Sequence, residues 1–180
     1  MKKLLLLLLF IIISGSIYSQ SYLGTITKQV NFREGSSTDD TIIGSLKPNT
    51  QIFIISIESE NDFYNIIDIE TDSEGYVHKS FVKLGKLVNR SNGSFISASG
   101  NSESNDSEAK IFNNTSITMT LKLNEVVYRF SPKETKNITL TPGDYDFRAS
   151  APGVIPKVGR KDFENNHIYT WQFYITTSRR

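Results

Sequence analysis

The feature that most constrains the fold is the absence of helical periodicity: no stretch of 11 or more residues repeats its apolar positions at helical spacing. Instead, short β-prone runs are cut at frequent intervals by turn residues. Lys47-Pro48-Asn49, Glu58-Ser59-Glu60-Asn61 and Thr71-Asp72-Ser73-Glu74 are three such cuts, because Pro fixes φ while Asn and Asp tolerate tight turns. The fold class is therefore all-β.

Two segments stand outside this pattern. Met1-Lys2-Lys3, the apolar run Leu4 to Ile13 and the small and polar residues to Ser19 have the three-part layout of a secretory signal peptide. The apolar run is too short to span a bilayer, which takes roughly 20 residues. Cleavage after Ser19 would leave an exported chain, periplasmic or extracellular, without a transmembrane anchor. The second segment is Leu87 to Lys110, where 13 of 24 positions are Ser, Asn or Gly. So little apolar surface is expected to leave residues 87–110 as a flexible linker. The expected organisation is a signal peptide (1–19), a small barrel (20–86), the linker, and a β-sandwich (111–180).

Each module has its own pattern. In the first, Gln51 to Ile57, Asp62 to Glu70 and Gly75 to Val82 are dense β-prone runs, enough to close a small barrel. In the second, Ile117, Met119, Leu121 and Leu123 alternate with polar residues, as do Tyr145, Phe147 and Ala149, and then Tyr169, Trp171, Phe173 and Ile175. Half-buried strands of that kind pack as a sandwich.

Charge and cysteine content exclude several functions. Without Lys2 and Lys3 the chain carries 18 basic against 19 acidic side chains, and no basic run supplies a nucleic-acid or anionic-membrane footprint. With no cysteine there is no disulfide framework, thiolate metal site or thiol nucleophile. No Gly-x-Ser-x-Gly elbow occurs, and neither His78 nor His167 sits in a catalytic motif, so no catalytic residue and no cofactor are assigned. Asp68, Glu70, Asp72 and Glu74 recur every second residue, but counting from Asp68 puts Ser73 and Lys79 where a calcium loop needs Gly and Glu. No metal is expected, and the acidic run is read as a solvated outer face.

One pattern in the first module is specific. Val30-Asn31-Phe32-Arg33-Glu34-Gly35-Ser36-Ser37, then Ile42-Ile43-Gly44-Ser45-Leu46, then Gly75-Tyr76-Val77 resembles, in that order, the bacterial SH3 (SH3b) family. Phe32 stands where Val is usual, Asn49 where a turn Gly is usual, and Tyr76 where Trp is usual. Gly35 and Gly44 are expected to supply positive φ at turns. The resemblance implies an SH3-like barrel and a non-catalytic binding role, with peptidoglycan or an envelope protein as partner. Ring-bearing Tyr64 and Tyr76, with Arg33 beside the inward Phe32, are the expected ligand-binding residues.

In the second module Ala149 to Gly159 reads as a proline-stiffened apolar loop. Val154, Ile155 and Lys157 there, with the neighbouring Arg160, are the expected partner surface. A second function class follows: a structural or assembly subunit of an envelope or secreted complex that docks through the sandwich.

Overall fold

The computed structural model describes residues 20–175, so the expected signal peptide lies outside the described residues. The first module comprises β1 (Ser21–Ile26), β2 (Val30–Arg33), β3 (Ile42–Leu46), β4 (Gln51–Ile54), β5 (Phe63–Asp68), β6 (Ser73–His78), the 3-10 turn η1 (Lys79–Phe81) and β7 (Val82–Val88). They form one antiparallel sheet in the order β3-β2-β6-β5-β4-β1-β7. It curls around Ile26, Phe32, Leu46, Ile52, Ile54, Ile66 and Val77, the SH3-like barrel expected from the residues.

Asn49 has φ 69°, the left-handed geometry that glycine most often supplies. Gly35 and Gly44 correct the expectation made for them, since neither has positive φ. A Cβ at Gly35 would lie 2.3 Å from Asp40 Oδ2, so a side chain there would displace the carboxylate that accepts from Ser37 N. Gly44 sits within β3, where a Cβ would make only an ordinary 4.0 Å contact with the Phe32 ring.

The second module comprises β8 (Ser97–Asn101), β9 (Ser107–Asn113), β10 (Met119–Leu123), β11 (Val126–Phe130), β12 (Thr135–Leu140), β13 (Gly143–Ala151), β14 (Val154–Phe163) and β15 (His167–Phe173). Two four-stranded sheets, β11-β10-β13-β14 and β12-β9-β15-β8, face each other as a β-sandwich. Its core is aromatic: Phe147, Phe163, Tyr169 and Trp171 meet edge to face.

Two sequence expectations are corrected here. Residues 87–110 are not an unstructured linker, because β7 ends in them, β8 lies within them and β9 starts in them. What the low-complexity segment lacks in apolar side chains it makes up in backbone pairing and in a few anchors. Ile96 and Ala109 are buried, Phe95 packs on Phe147 and Trp171, and the buried Ser107 hydroxyl donates to Glu164 O at 2.6 Å. The β8 side chains are all exposed, so Ser, Ala and Gly suffice on that edge strand. Likewise, Ala149 to Gly159 is no loop but the β13–β14 hairpin, turned at Pro152-Gly153 with Gly153 at φ 74°.

The two modules also pack together. Phe53, Ile67 and Ile69 on the outer side of the barrel sheet form a buried cluster with Val158 of β14. Gly153 N donates to Ile69 O at 2.7 Å and Thr120 Oγ1 to Asp72 Oδ2 at 2.9 Å, while Arg148 pairs with Glu74. The acidic run is thus not merely solvated. Asp68 is buried, accepting from Glu70 N and Thr71 Oγ1, while Asp72 and Glu74 hold the junction.

Candidate functional site

Strand alternation places Phe32 in the barrel core and turns Asn31 and Arg33 outward. Outside β2 lies a cleft of about 330 Å³. One wall is β2 with the residue before it and the loop after it: Gln29, Asn31, Arg33 and Thr38. The loop is held against the strand by Glu34 N donating to Thr41 O at 3.0 Å and Ser37 N to Asp40 Oδ2 at 2.8 Å. Arg33 takes part, since its Nη1 donates to Asp40 O at 2.7 Å. That bond fixes the guanidinium and leaves its remaining N–H groups available to a ligand.

The opposite wall is aromatic. Phe63 and His78 are paired residues on β5 and β6, their rings edge to face at 5.2 Å, and Phe81 follows at 6.1 Å from His78. His78 also caps η1: Nδ1 accepts from Ser80 N at 3.3 Å and lies 2.7 Å from Ser80 Oγ. A neutral ring with Nδ1 accepting carries its proton on Nε2. The wall is braced behind by the Lys79–Asp62 ion pair at 2.6 Å and by Lys79 N donating to Asp62 O. The hydrogen bond and charge of Lys79 hold the Asp62 carboxyl below its ordinary range, and Asp62 holds the Lys79 ammonium above its own. No carboxylate lines the cleft among the described residues.

Of the residues expected to bind ligand, Arg33 lines the cleft. Tyr76 is the register partner of Arg33 on the neighbouring strand, so it stands beside the cleft without lining it. Burial first, then the Glu60 and Glu74 carboxylates, push its phenol up, keeping it a hydrogen-bond donor at neutral pH. Tyr64 packs against the barrel core. Sequence reasoning gives Phe63, His78 and Phe81 no binding role; Phe63 is 5% exposed and Phe81 packs against the barrel core, yet all three line the cleft. The signal available was strand parity: Phe63 and His78 alternate with the core residues Tyr64 and Val77. The pairing register that sets them opposite one another is not written in either strand.

The residues expected as a partner surface lie on β14. Val154 is half-buried, Ile155 is 51% exposed, Lys157 turns toward the facing sheet, and the Arg160 guanidinium lies 3.8 Å from Asp144.

Residues 28–83 match the family model of the bacterial SH3 domain, whereas the second module has no family assignment. No curated protein matches the chain. A solved structure of NlpC1 from Trichomonas vaginalis is similar over 81% of this chain and 46% of that chain, at 15% identity and a TM-score of 0.32. The chain therefore spans less than half the length of that protein.

Proposed function

We propose that the protein is an exported, non-catalytic binding protein whose barrel cleft grips a peptidoglycan stem peptide or an envelope peptide. The observation that carries this reading is the pairing, across one small cleft, of the Phe63, His78 and Phe81 rings with the donors of Arg33, Asn31 and Gln29. Rings give apolar area at little entropic cost, and side-chain donors orient carbonyl and carboxylate acceptors. A cleft of this size holds one or two residues of a peptide, and its lack of acidic side chains favours an acceptor-rich ligand. Tyr76, with its protonated phenol beside Arg33, extends the same surface.

The test is co-sedimentation of the protein with purified peptidoglycan sacculi. Asn31 is exposed and Arg33 half-exposed, so Asn31→Ala and Arg33→Ala leave the core untouched. Binding that the double variant loses at least tenfold supports the reading. Absence of binding by the unaltered protein sinks the peptidoglycan reading, and weight passes to a protein partner, either an envelope peptide in the cleft or an assembly in which the sandwich docks. The observation favouring that second role is the edge strand β11, where Val126 and Val127 are 54% and 51% exposed.

A further inference from the structure

We infer that the sandwich holds a second, separate site, an inter-sheet cleft that takes a long acyl chain with a carboxylate head. The cleft opens where the β13–β14 hairpin tip faces the end of β15 and the start of β8, and measures about 1080 Å³. Its inner lining is apolar by strand parity. Ala149 and Ala151 of β13, Trp171 and Phe173 of β15, Met119 and Phe95 face the space between the sheets.

The polar residues along the cleft do not serve a polar ligand. Thr170 and Gln172 alternate with Tyr169, Trp171 and Phe173 and so point to the outer face, as does Ser97, the exposed register partner of Thr170; Ser150 alternates with Ala149 and faces the barrel side. The Thr115 hydroxyl is already engaged with Asn113 Oδ1 and Ile117 O, at 2.7 and 2.9 Å. A peptide or a sugar drawn into this cleft would leave its polar groups without partners, which is costly. A hydrocarbon chain carries none.

The head group is set by Lys157. Its register partner is Ala149, so it stands on the inner face of the edge strand β14, its ammonium 3.7 Å above the Phe95 ring. Among the described residues it is the one charged side chain lining the cleft and has no carboxylate partner. A cation at the mouth of an apolar cleft complements an anionic head on an apolar tail. The exposed Ile155 and Tyr174 extend the apolar surface at that mouth. An inward lysine also guards an edge strand against pairing. That role alone predicts self-association of a Lys157 variant and no ligand.

Trp171 is the one tryptophan of the chain and lies in the cleft wall, so its emission reads the site directly. The experiment titrates the protein with 9,10-dibromostearate below its micelle concentration, because bromine quenches indole emission at contact. The expected result is saturable quenching. It should be at least tenfold weaker in affinity for the dibromostearate methyl ester and for Lys157→Gln, and retained in Lys157→Arg. Shorter saturated acids that compete for the site should lose roughly fourfold in affinity per methylene removed. If Lys157→Gln loses its circular dichroism spectrum, Ile155→Asp at the exposed mouth takes its place, with the same tenfold loss expected. Quenching that does not saturate overturns the proposal, as does equal affinity for acid and ester or for the variant and the parent. None of these outcomes bears on the barrel cleft.

Discussion

Arg148 on β13 of the sandwich forms an ion pair with Glu74 on β6 of the barrel, and the arginine side chain is only 12% exposed. Glu74 also accepts from Asn65 Nδ2 at 3.2 Å, so the carboxylate is fixed from both modules. Two residues further along β6 lies Tyr76, beside the barrel cleft. The junction and the candidate site thus share a strand.

This pair makes stability depend on pH in a defined direction. Burial raises the Glu74 carboxyl, but the charge and hydrogen bond of Arg148, with help from Asn65 and Lys122, outweigh it and leave it below its ordinary 4.5. A carboxylate lowered on folding stabilises the native state above its unfolded value, and that contribution is lost as pH falls through the folded value. The Glu74 side chain is 37% exposed, so screening keeps the effect to about 1 kcal/mol or less. Urea denaturation should show Glu74→Gln less stable than the parent at pH 7, with the difference shrinking progressively as pH falls below 4.5. A constant difference across that range would refute the assignment.

Val158, Phe53, Ile67 and Ile69 make the junction apolar as well as charged, and all four are at most 7% exposed. A buried junction couples the modules into one unfolding unit, whereas a flexible tether would let each melt alone. Calorimetry of the parent should give a single transition whose calorimetric and van't Hoff enthalpies agree. Val158→Asp buries an unpaired charge at the centre of the cluster and should split the melt into two transitions. A single unshifted transition in that variant would show that the junction contributes nothing.

How much of this was legible in the sequence differs by element. Alternation located β10, β13 and β15, and Asn49 announced its own left-handed turn. The junction was written less plainly. Ile52-Phe53-Ile54 and Ile66-Ile67 break alternation, which is how a strand buried on both faces reads. Ile52, Ile54 and Ile66 enter the barrel core, and Phe53 and Ile67 the junction. The Ser- and Asn-rich strands were illegible by composition because edge strand β8 is held by its backbone ladder with β15, which leaves no trace in side-chain hydropathy. Arg33 reached the candidate site by parity, but Phe63 and His78 needed the register between strands.

Asn113 is an anchor of the kind composition hides. It is fully buried at the end of β9, and its Nδ2 donates to Ile117 O, Phe130 O and Ser131 O at 2.9, 3.2 and 2.9 Å. Its Oδ1 accepts from Thr115 N and Thr115 Oγ1. Asn113→Ala should lower stability by about 2–4 kcal/mol, since it strands buried carbonyls from two strand ends. Asn113→Asp should cost more at pH 7, because a carboxylate oxygen would face the three carbonyls that the amide now serves. Denaturant midpoints that rank the two variants the other way would show that volume, not hydrogen bonding, is what Asn113 supplies.

Gly75 opens the Gly-Tyr-Val motif of β6, and the structure gives that glycine a steric reason. A Cβ there would lie 2.6 Å from Arg33 O and 2.6 Å from the Phe32 ring. Neither neighbour is free to move: the Phe32 ring fills the barrel core and the Arg33 backbone pairs with Tyr76. Gly75→Ala should therefore push β2 away from β6 at a cost of about 1–3 kcal/mol. Because Arg33 is carried on β2 and His78 on β6, the same push widens the cleft between them. Ligand affinity should fall further in Gly75→Ala than in Gly44→Ala, where the added methyl meets nothing closer than 4.0 Å. Equal affinity in the two variants would detach the cleft from the β2–β6 spacing, and with it the account of how the motif positions the site.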